Sequence, residues 1–366
     1  MLYICDFKTA KEALSKFEFA DRPHWKLMEF FKEEKQNGRA GGIITSNGSH
    51  WHHNRRFLLR HLRDLGMGKS KIEGIIMREN DFMLIGLLDF FPILNYIVPK
   101  PLINIILGIN KFDRATQEFQ DLPFIDDHLK TLDPNNPRDL IDDYLIEMKE
   151  KKSEDYSHFS ITDLTRITLD LFVAGSDTTA NMTRWVLIYM ARFQEIQEKI
   201  QKEIDRVVPR DTLPGLQNRN ELVYLDATIN EVQRHCSMVS MGVFRYTAND
   251  VTLQGYDIPK GTAVFSLAAL SHRDPTYWKD PDNFDPSRFL DENGKYIPTC
   301  EGFQAFGIGK RQCLGEHFAR MELYLTIAAL LQNFTFSAPE DEGQMSLDPE
   351  KLPNGQVSSL SRIKNL

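Results

Sequence analysis

Cysteine is scarce in this sequence and is never paired by spacing. The four copies (Cys5, Cys236, Cys300 and Cys313) lie far apart with no CxxC among them, which excludes a zinc cluster and a disulfide framework. A chain that does not depend on disulfides suits a reducing compartment. A basic excess is missing too: 44 Lys and Arg face 52 Asp and Glu, a net charge of −8. A protein built mainly to hold nucleic acid needs the opposite balance to displace counterions, so no nucleic-acid partner is expected. Local basic patches stay open.

Long hydrophobic runs are also absent. The most apolar stretch, Phe82 to Ile109, is broken by Asp89, Pro92, Pro99, Lys100 and Pro101, whereas a spanning helix needs roughly 20 apolar residues in a row. It reads as two short apolar helices joined by a proline-rich turn, packed on the protein or in peripheral contact with a membrane surface. The opening, MLYICDFKTAKEALSKFEFADRP, has no apolar core of signal-peptide length and meets Asp6 at once. It reads instead as a strand at Leu2–Cys5 and an amphipathic helix from about Lys8 to Phe17. Neither an internal repeat nor a low-complexity linker is found.

What remains is the composition of a folded chain of 366 residues, 42% hydrophobic and 26% charged. Helical periodicity dominates the first two thirds, over Leu140–Lys151, Ile161–Phe193, Ile196–Val208 and Val223–His235. Polar or proline-containing joints fall at Asp133–Pro137 and Pro209–Gly215. Strand signals come later, at Val243–Tyr246, Val251–Leu253, Tyr256–Ile258 and Thr262–Ser266, with Pro259, Lys260 and Gly261 as turn chemistry. A last long helix starts after Gly315 and runs to about Asn333. The expected fold class is mainly α with small β-sheets, as one domain over residues 1–366.

Chemistry concentrates in the segment Phe306–Gly315, FGIGKRQCLG. Three glycines and a basic pair surround Cys313 just before the last helix. A thiolate near a helix N-terminus is stabilised by backbone N–H groups and the helix dipole. Gly307 and Gly309 permit a tight turn that aims amides at the sulfur, and Arg311 adds a cation. Those are the needs of a soft anionic metal ligand. One cysteine holds a bare metal poorly, so the metal would arrive already ligated, as in haem. Other readings fit less well. The dinucleotide fingerprint GxGxxG fails at Gln312, and the phosphate loop fails because Arg311, not Ser or Thr, follows Lys310.

These ten residues match the haem-binding signature FxxGxRxCxG of the cytochrome P-450 family at Phe306, Gly309, Arg311, Cys313 and Gly315. The chain thus resembles that family, and further motifs stand in the expected order. Ala174-Gly175-Ser176-Asp177-Thr178-Thr179 puts a polar notch midway along an apolar helix. There Gly175 weakens the helix and the Thr178 hydroxyl can bond the carbonyl of Ala174, bending the axis. A packing kink would explain such a notch as well; the resemblance implies the oxygen-activation motif, with Asp177 and Thr178 as the acid–alcohol pair. Glu231 and Arg234 have the (i, i+3) spacing of an ordinary surface pair. The resemblance implies instead a buried structural triad with Arg288 of the segment Phe284–Phe289, fixing the cysteine loop. Trp51 and Arg55, four apart in HWHHNRRF, lie on one helix face and match the family's WxxxR motif at a haem propionate, with Arg245 at the other propionate. His52 and His53 match no metal spacing and read as surface residues. Sequons at Asn47, Asn181 and Asn333 carry no weight.

The resemblance is to eukaryotic microsomal members, especially the family-two group, and His272-Arg273-Asp274-Pro275 with Tyr277-Trp278 adds to it. It implies a haem-thiolate monooxygenase with haem b as cofactor and Cys313 as axial ligand, whose electron donation favours O–O cleavage. Phe306 would shield the sulfur, and Trp51, Arg55, Arg245 and Arg311 would neutralise the propionates. A small hydrophobic substrate (a lipid, steroid, fatty acid or xenobiotic) would lie between Ala174, Gly175 and Thr179 on one side and Val239, Ser240 and Val243 on the other, with Met241 beside them. Ser240 stands where relatives often have proline. Electrons would come from NADPH through a flavoprotein reductase, or a cytochrome b-type donor, docking on the basic run Arg55, Arg56, Arg60, Arg63, Lys69 and Lys71, which otherwise reads as a solvated face.

Two departures from the family pattern stand out. Set against the resemblance, the membrane anchor, proline-rich hinge and first strands of the fold are expected to be absent, since Leu2 already aligns near the end of the first sheet. The stretch between the Trp51 helix and the notch helix is also short, so helices under the distal pocket are expected to be missing. The endoplasmic reticulum surface is the location implied by the resemblance, and the cytoplasm that of an anchorless product. Two other readings stay open: a shortened, non-catalytic product unable to hold haem, and a haem-thiolate isomerase needing no reductase. The latter tend to lack the acid–alcohol pair.

Overall fold

A computed structural model describes residues 1–23, 41–64, 124–150, 159–298, 300–337 and 359–362. The apolar stretch Phe82–Ile109 and the basic residues Lys69 and Lys71 lie outside the described residues. In chain order the described elements are β1 (Leu2–Ile4), α1 (Phe7–Leu14), α2 (Gly48–Asp64), α3 (Phe124–Thr131), α4 (Leu140–Glu150), α5 (Ile161–Arg192), α6 (Gln194–Val207), α7 (Val223–Cys236), β2 (Arg245–Tyr246), β3 (Val251–Leu253), β4 (Tyr256–Ile258), β5 (Ala263–Ser266), α8 (Ala268–Ser271), α9 (Glu316–Asn333), β6 (Phe334–Ser337) and β7 (Ser359–Arg362). Short 3₁₀ turns stand at Phe17–Phe19, Leu216–Asn218, Pro286–Phe289 and Gly309–Arg311. This is the mainly helical architecture with small sheets that the periodicity predicts. Among the described residues no helix is long and apolar enough to cross a membrane.

Local chemistry sets the ends of these elements. Asp6 caps α1, accepting from the Thr9 amide at 2.8 Å. Ser160 caps α5 in the same way, accepting from the Asp163 amide at 3.0 Å while its hydroxyl donates to the Asp163 carboxylate at 2.8 Å. α7 ends at Ser237 with φ 44°, a left-handed C-cap. α1 stops at Leu14, short of the expected Phe17, because the chain turns at Ser15 into the 3₁₀ turn. α6 begins at Gln194, two residues before the apolar pattern, since Phe193 serves as the end of α5 and the start of α6 at once.

Four apolar clusters stand among the described residues, the smallest of them Ala227, Trp278, Phe289 and Phe303. The largest joins Val186, Tyr189 and Met190 of α5, Ile196, Ile200 and Ile204 of α6, Leu225, Ile229 and Val232 of α7, and Leu323, Ile327 and Leu331 of α9. The spacing of the three α6 isoleucines is the stripe of an amphipathic helix. A second cluster packs Trp51, Phe57 and Leu58 of α2 against Tyr144 and Leu145 of α4 and Leu164 and Ile167 of α5. The third seals β1 and α1 onto β3, β4 and β5 through Ile4, Leu14, Phe19, Leu253, Ile258 and Val264.

The first sheet has the order β1-β5-β2, with β1 parallel and β2 antiparallel to β5. Its register sets Arg245 opposite Val264. β2 is shorter than the expected Val243–Tyr246: Gly242 turns at φ 59°, and the Val243 and Phe244 carbonyls are taken by the Arg22 guanidinium, not by a ladder. β3 and β4 form a hairpin over Gln254 and Gly255, both at positive φ (52° and 82°), as a two-residue hairpin turn demands.

Candidate functional site

The cysteine loop is built from the two glycines that the sequence singles out. Gly307 and Gly309 both take positive φ, 67° and 75°. A side chain at Gly309 would collide with the Leu14 carbonyl, so only glycine lets α1 close over the loop. The Cys313 amide donates to the Phe306 carbonyl at 2.9 Å and the Gln312 amide to the Gly309 carbonyl at 3.0 Å. Cys313 is left accessible to solvent. Its thiol is pushed up from the usual range by the desolvation of its surroundings, with Glu316 acting in the same sense and the Gly315 amide and Arg55 pulling the other way. The Phe306 ring takes the Arg320 guanidinium on its face, 4.8 Å from the ring centre.

Around this loop gather four arginines from distant parts of the chain. Arg311 donates to the carbonyls of Ala20 (2.7 Å), Ile43 (3.1 Å) and Ser46 (2.6 Å) and lies 3.9 Å from the Trp51 ring centre. Arg55 donates to the Gln312 carbonyl at 2.6 Å, tying α2 to the residue before Cys313. Arg245 donates to the Ile308 carbonyl at 2.9 Å. Arg22, which the sequence reading missed, donates to the Ile44 carbonyl at 3.1 Å and to the Val243 and Phe244 carbonyls. Nothing in its Asp-Arg-Pro context separates it from a surface arginine. Among the described residues none of the four is ion-paired to a carboxylate. Burial, reinforced by the neighbouring arginines, pushes Arg22 down to about 10, Arg245 to about 9 and Arg311 to about 7. Two buried donors in this cluster, Trp51 Nε1 and Arg245 Nη1, have no hydrogen-bond partner. Buried polar groups are almost always satisfied, so the protein alone leaves this site short of an anion.

The loop Gly41–Asn47 connects this cluster to α5. Its Ile43 and Ile44 amides donate to Asp170 at 2.7 and 2.9 Å, while its carbonyls receive Arg311 and Arg22. Asp163 accepts from the Gly42 amide at 3.3 Å and pairs with His50 at 2.9 Å. Desolvation pushes Asp170 up to about 6 although the two loop amides oppose it.

Further along α5 the notch is open. Ala174, Gly175, Asp177 and Thr178 are exposed, and only Thr179 of the group is buried. The Thr178 hydroxyl donates to the Ala174 carbonyl at 2.7 Å, as the spacing predicts, and α5 runs through the notch as one helix. Asp177 accepts from the Asn181 amide nitrogen at 3.0 Å. Val239, Met241 and Val243 are all more than two-fifths exposed, and Ser240 is exposed beside them.

Glu231, Arg234 and Arg288 come together in the interior. Arg234 holds both carboxylate oxygens of Glu231 at 2.7 and 2.8 Å, and neither side chain has any exposure. Arg288 Nε lies 3.4 Å from Glu231 but is not aligned for a hydrogen bond. Its other donors go to the Lys279, Asp280 and Asn283 carbonyls. On α2, Arg56, Arg60 and Arg63 are exposed, and Arg60 pairs with Glu147 of α4. Of the two histidines expected at the surface, His52 is exposed and His53 is half-buried, its Nδ1 2.7 Å from the Ser49 carbonyl.

The cytochrome P450 family model matches residues 1–87 and 84–358. The chain belongs to the cytochrome P450 family. It is 37% identical to cytochrome P450 2L1 of Panulirus argus, over 99% of this chain and 84% of that protein. To human cytochrome P450 2U1 it is 33% identical over 93% of this chain and 72% of the other, and to human cytochrome P450 2J2 35% identical over 91% and 76%. The family match breaks near residues 84–87, and the first alignment runs over 422 positions against 366 residues here. Relatives therefore carry an internal segment that this chain lacks, in line with the expected shortening between the Trp51 helix and the notch helix. Cytochromes P450 are haem-dependent oxidoreductases of the monooxygenase type, with haem b held by a cysteine thiolate. The residues present fit that group. Haem b brings two carboxylates, and the site has uncompensated guanidiniums and two orphaned donors beside an accessible cysteine.

Proposed function

We propose that this chain is a haem-thiolate monooxygenase acting on a small hydrophobic organic substrate, with NADPH-derived electrons delivered by a flavoprotein reductase. The observation that carries the reading is the cluster of buried, uncompensated arginines next to Cys313. Cys313 would be the axial ligand. Trp51 Nε1 and Arg245 Nη1, with Arg55 and Arg22, would hold the propionates; Arg311, whose donors are already engaged by carbonyls, would contribute charge. When bound, haem with a thiolate ligand supplies the activation of O₂ that puts one oxygen atom into the substrate and releases the other as water.

The remaining roles belong to the chain's own side chains. Asp177 and Thr178 would hold and move protons at the notch, where both are open to solvent. Phe306 would cover the sulfur. Ala174, Gly175, Thr179, Val239, Ser240 and Val243 would line the substrate site. The exposed valines and Met241 form an apolar surface suited to a lipid, steroid, fatty acid or xenobiotic. Glu231, Arg234 and Arg288 would be structural. Arg56 and Arg63, exposed on α2, would meet an acidic reductase, and the resemblance to microsomal members points to the endoplasmic reticulum surface. The test is reconstitution with NADPH and reductase, following O₂ uptake and product together. Thr178→Ala should keep oxygen uptake but lose most product, and Thr178→Ser should restore coupling. No reductase-dependent oxygen uptake by the wild-type chain would support instead the isomerase or non-catalytic readings, and an unchanged ratio in Thr178→Ala would remove the proton-delivery role of Thr178.

A further inference from the structure

Among the described residues, no hydrogen bond of Glu231, Arg234 or Arg288 ends on the cysteine loop. Besides each other they hold the Asp285 amide and the carbonyls of His272, Lys279, Asp280 and Asn283. The step from this triad to the loop is made by His272. Arg234 donates to the His272 carbonyl at 2.7 Å. The imidazole, 1% exposed, lies 2.8 Å from Ser237 Oγ through Nδ1, and its Nε2 accepts from the Gln304 amide at 3.0 Å. Gln304 is then clamped at both ends: its carbonyl receives the Gly307 amide at 2.9 Å and its side chain donates to Ser271 Oγ at 2.7 Å. Gly307 opens the turn that ends with Cys313.

Two independent bonds demand one tautomer. The Ser237 hydroxyl gives its proton to the Arg234 carbonyl at 2.8 Å, so its oxygen must accept from Nδ1–H. The Gln304 amide can only donate, so Nε2 must carry a lone pair. A doubly protonated ring would break the second bond. Burial, with Arg234 and Arg273 nearby, pushes His272 down to about 3, and the Phe303 ring stacks against it with centroids 5.6 Å apart.

We propose that His272, held as the neutral Nδ1–H imidazole, is the positioning residue through which the triad sets the cysteine loop and the aim of Cys313. The part concerning Cys313 rests on its reading as the iron ligand; the placement of the loop does not. The experiment compares the full chain with His272→Gln, whose amide oxygen can replace Nε2, and His272→Asn, which can replace only the Nδ1 donor. In ¹⁵N-histidine-labelled wild type, the His272 ring should show its proton on Nδ1 at every pH from 8 to 5. Hydrogen exchange of the 304–312 backbone should be slow in wild type and His272→Gln and about tenfold faster in His272→Asn, for the loss of one buried bond. In the haem-loaded proteins, the reduced carbon-monoxide band should keep its thiolate position in His272→Gln and shift toward the protonated-thiol position in His272→Asn. A proton on Nε2, or equal exchange in the two variants, would overturn the proposal. If the exchange pattern appears but wild type gives no thiolate band, the ligand reading fails and the loop-positioning role stands.

Discussion

Two groups of arginines in this molecule each contain one half-buried member (Arg288 in the first, Arg55 in the second), the rest being buried, and differ in what surrounds them. Arg234 and Arg288 share Glu231, and backbone carbonyls take their remaining donors. Arg22, Arg55, Arg245 and Arg311 have carbonyls but no ion-paired carboxylate among the described residues, and Trp51 Nε1 and Arg245 Nη1 are left without a partner. The first group carries its counter-charge as folded, with Arg288 Nε 3.4 Å from Glu231 though not hydrogen-bonded to it, whereas the second lacks a paired carboxylate among the described residues. Burial of an arginine therefore says little about its role, whereas its missing counter-charge says a good deal. A buried cation without a counter-charge is costly, and a chain that gathers three of them, Arg22, Arg245 and Arg311, beside the half-buried Arg55 suits a ligand with negative charge.

Removing the counter-ion of the first group should have the largest effect. Glu231→Ala leaves the buried Arg234 and the half-buried Arg288 without their carboxylate, a loss of about 3–5 kcal/mol, measurable as a collapse of the denaturation midpoint whether or not haem is present. The second group should respond in the opposite sense. Arg245→Leu removes a cation that burial disfavours, so the haem-free chain should be equally or more stable. Its haem affinity should fall by about 2 kcal/mol or more, read by Soret titration. If Arg245→Leu destabilised the haem-free chain as Glu231→Ala does, the distinction between the groups would be lost.

Acid sharpens the contrast on the side of the first group. The neutral form of His272 is favoured by folding, its value lying near 3 against an ordinary 6.5. Its contribution is therefore present above pH 6.5 and drains away as pH falls toward 3. His272→Gln should flatten that part of the stability–pH curve. Asp170, which supports the loop of the second group, should give the smallest effect. Folding raises it to about 6, so the stability it contributes is present below its ordinary value near 4 and lost as pH rises through about 6. Asp170→Asn keeps an oxygen for the Ile43 and Ile44 amides; at pH 7 it should match or exceed wild type within about 1 kcal/mol.

How much of this was legible in the sequence depends on how local each feature is. The cysteine loop could be read because Gly307 and Gly309 carry their backbone preferences with them, and their positive φ values follow from residue type. The β3–β4 hairpin and the Thr178 bond to Ala174 are local in the same way. α7 was legible as a helix, but not its burial on all sides: Glu231 and Arg234 have the spacing of a solvated pair, and tertiary packing turns them inward. Arg22 left no signal, since its partners at Ile44, Val243 and Phe244 are set by the fold alone. The same contact shortens β2, so one unread arginine accounts for both misses. His272 was read as part of a family string; its tautomer and its hold on Gln304 emerge only from the packing.

The central claim is that this chain holds haem through the Cys313 thiolate. The most direct test is the reduced carbon-monoxide difference spectrum of the expressed chain beside that of Cys313→Ala. The account predicts a strongly red-shifted Soret band in the wild-type chain and its loss in the variant. A chain that takes up no haem, or a band that survives unchanged in Cys313→Ala, would contradict it.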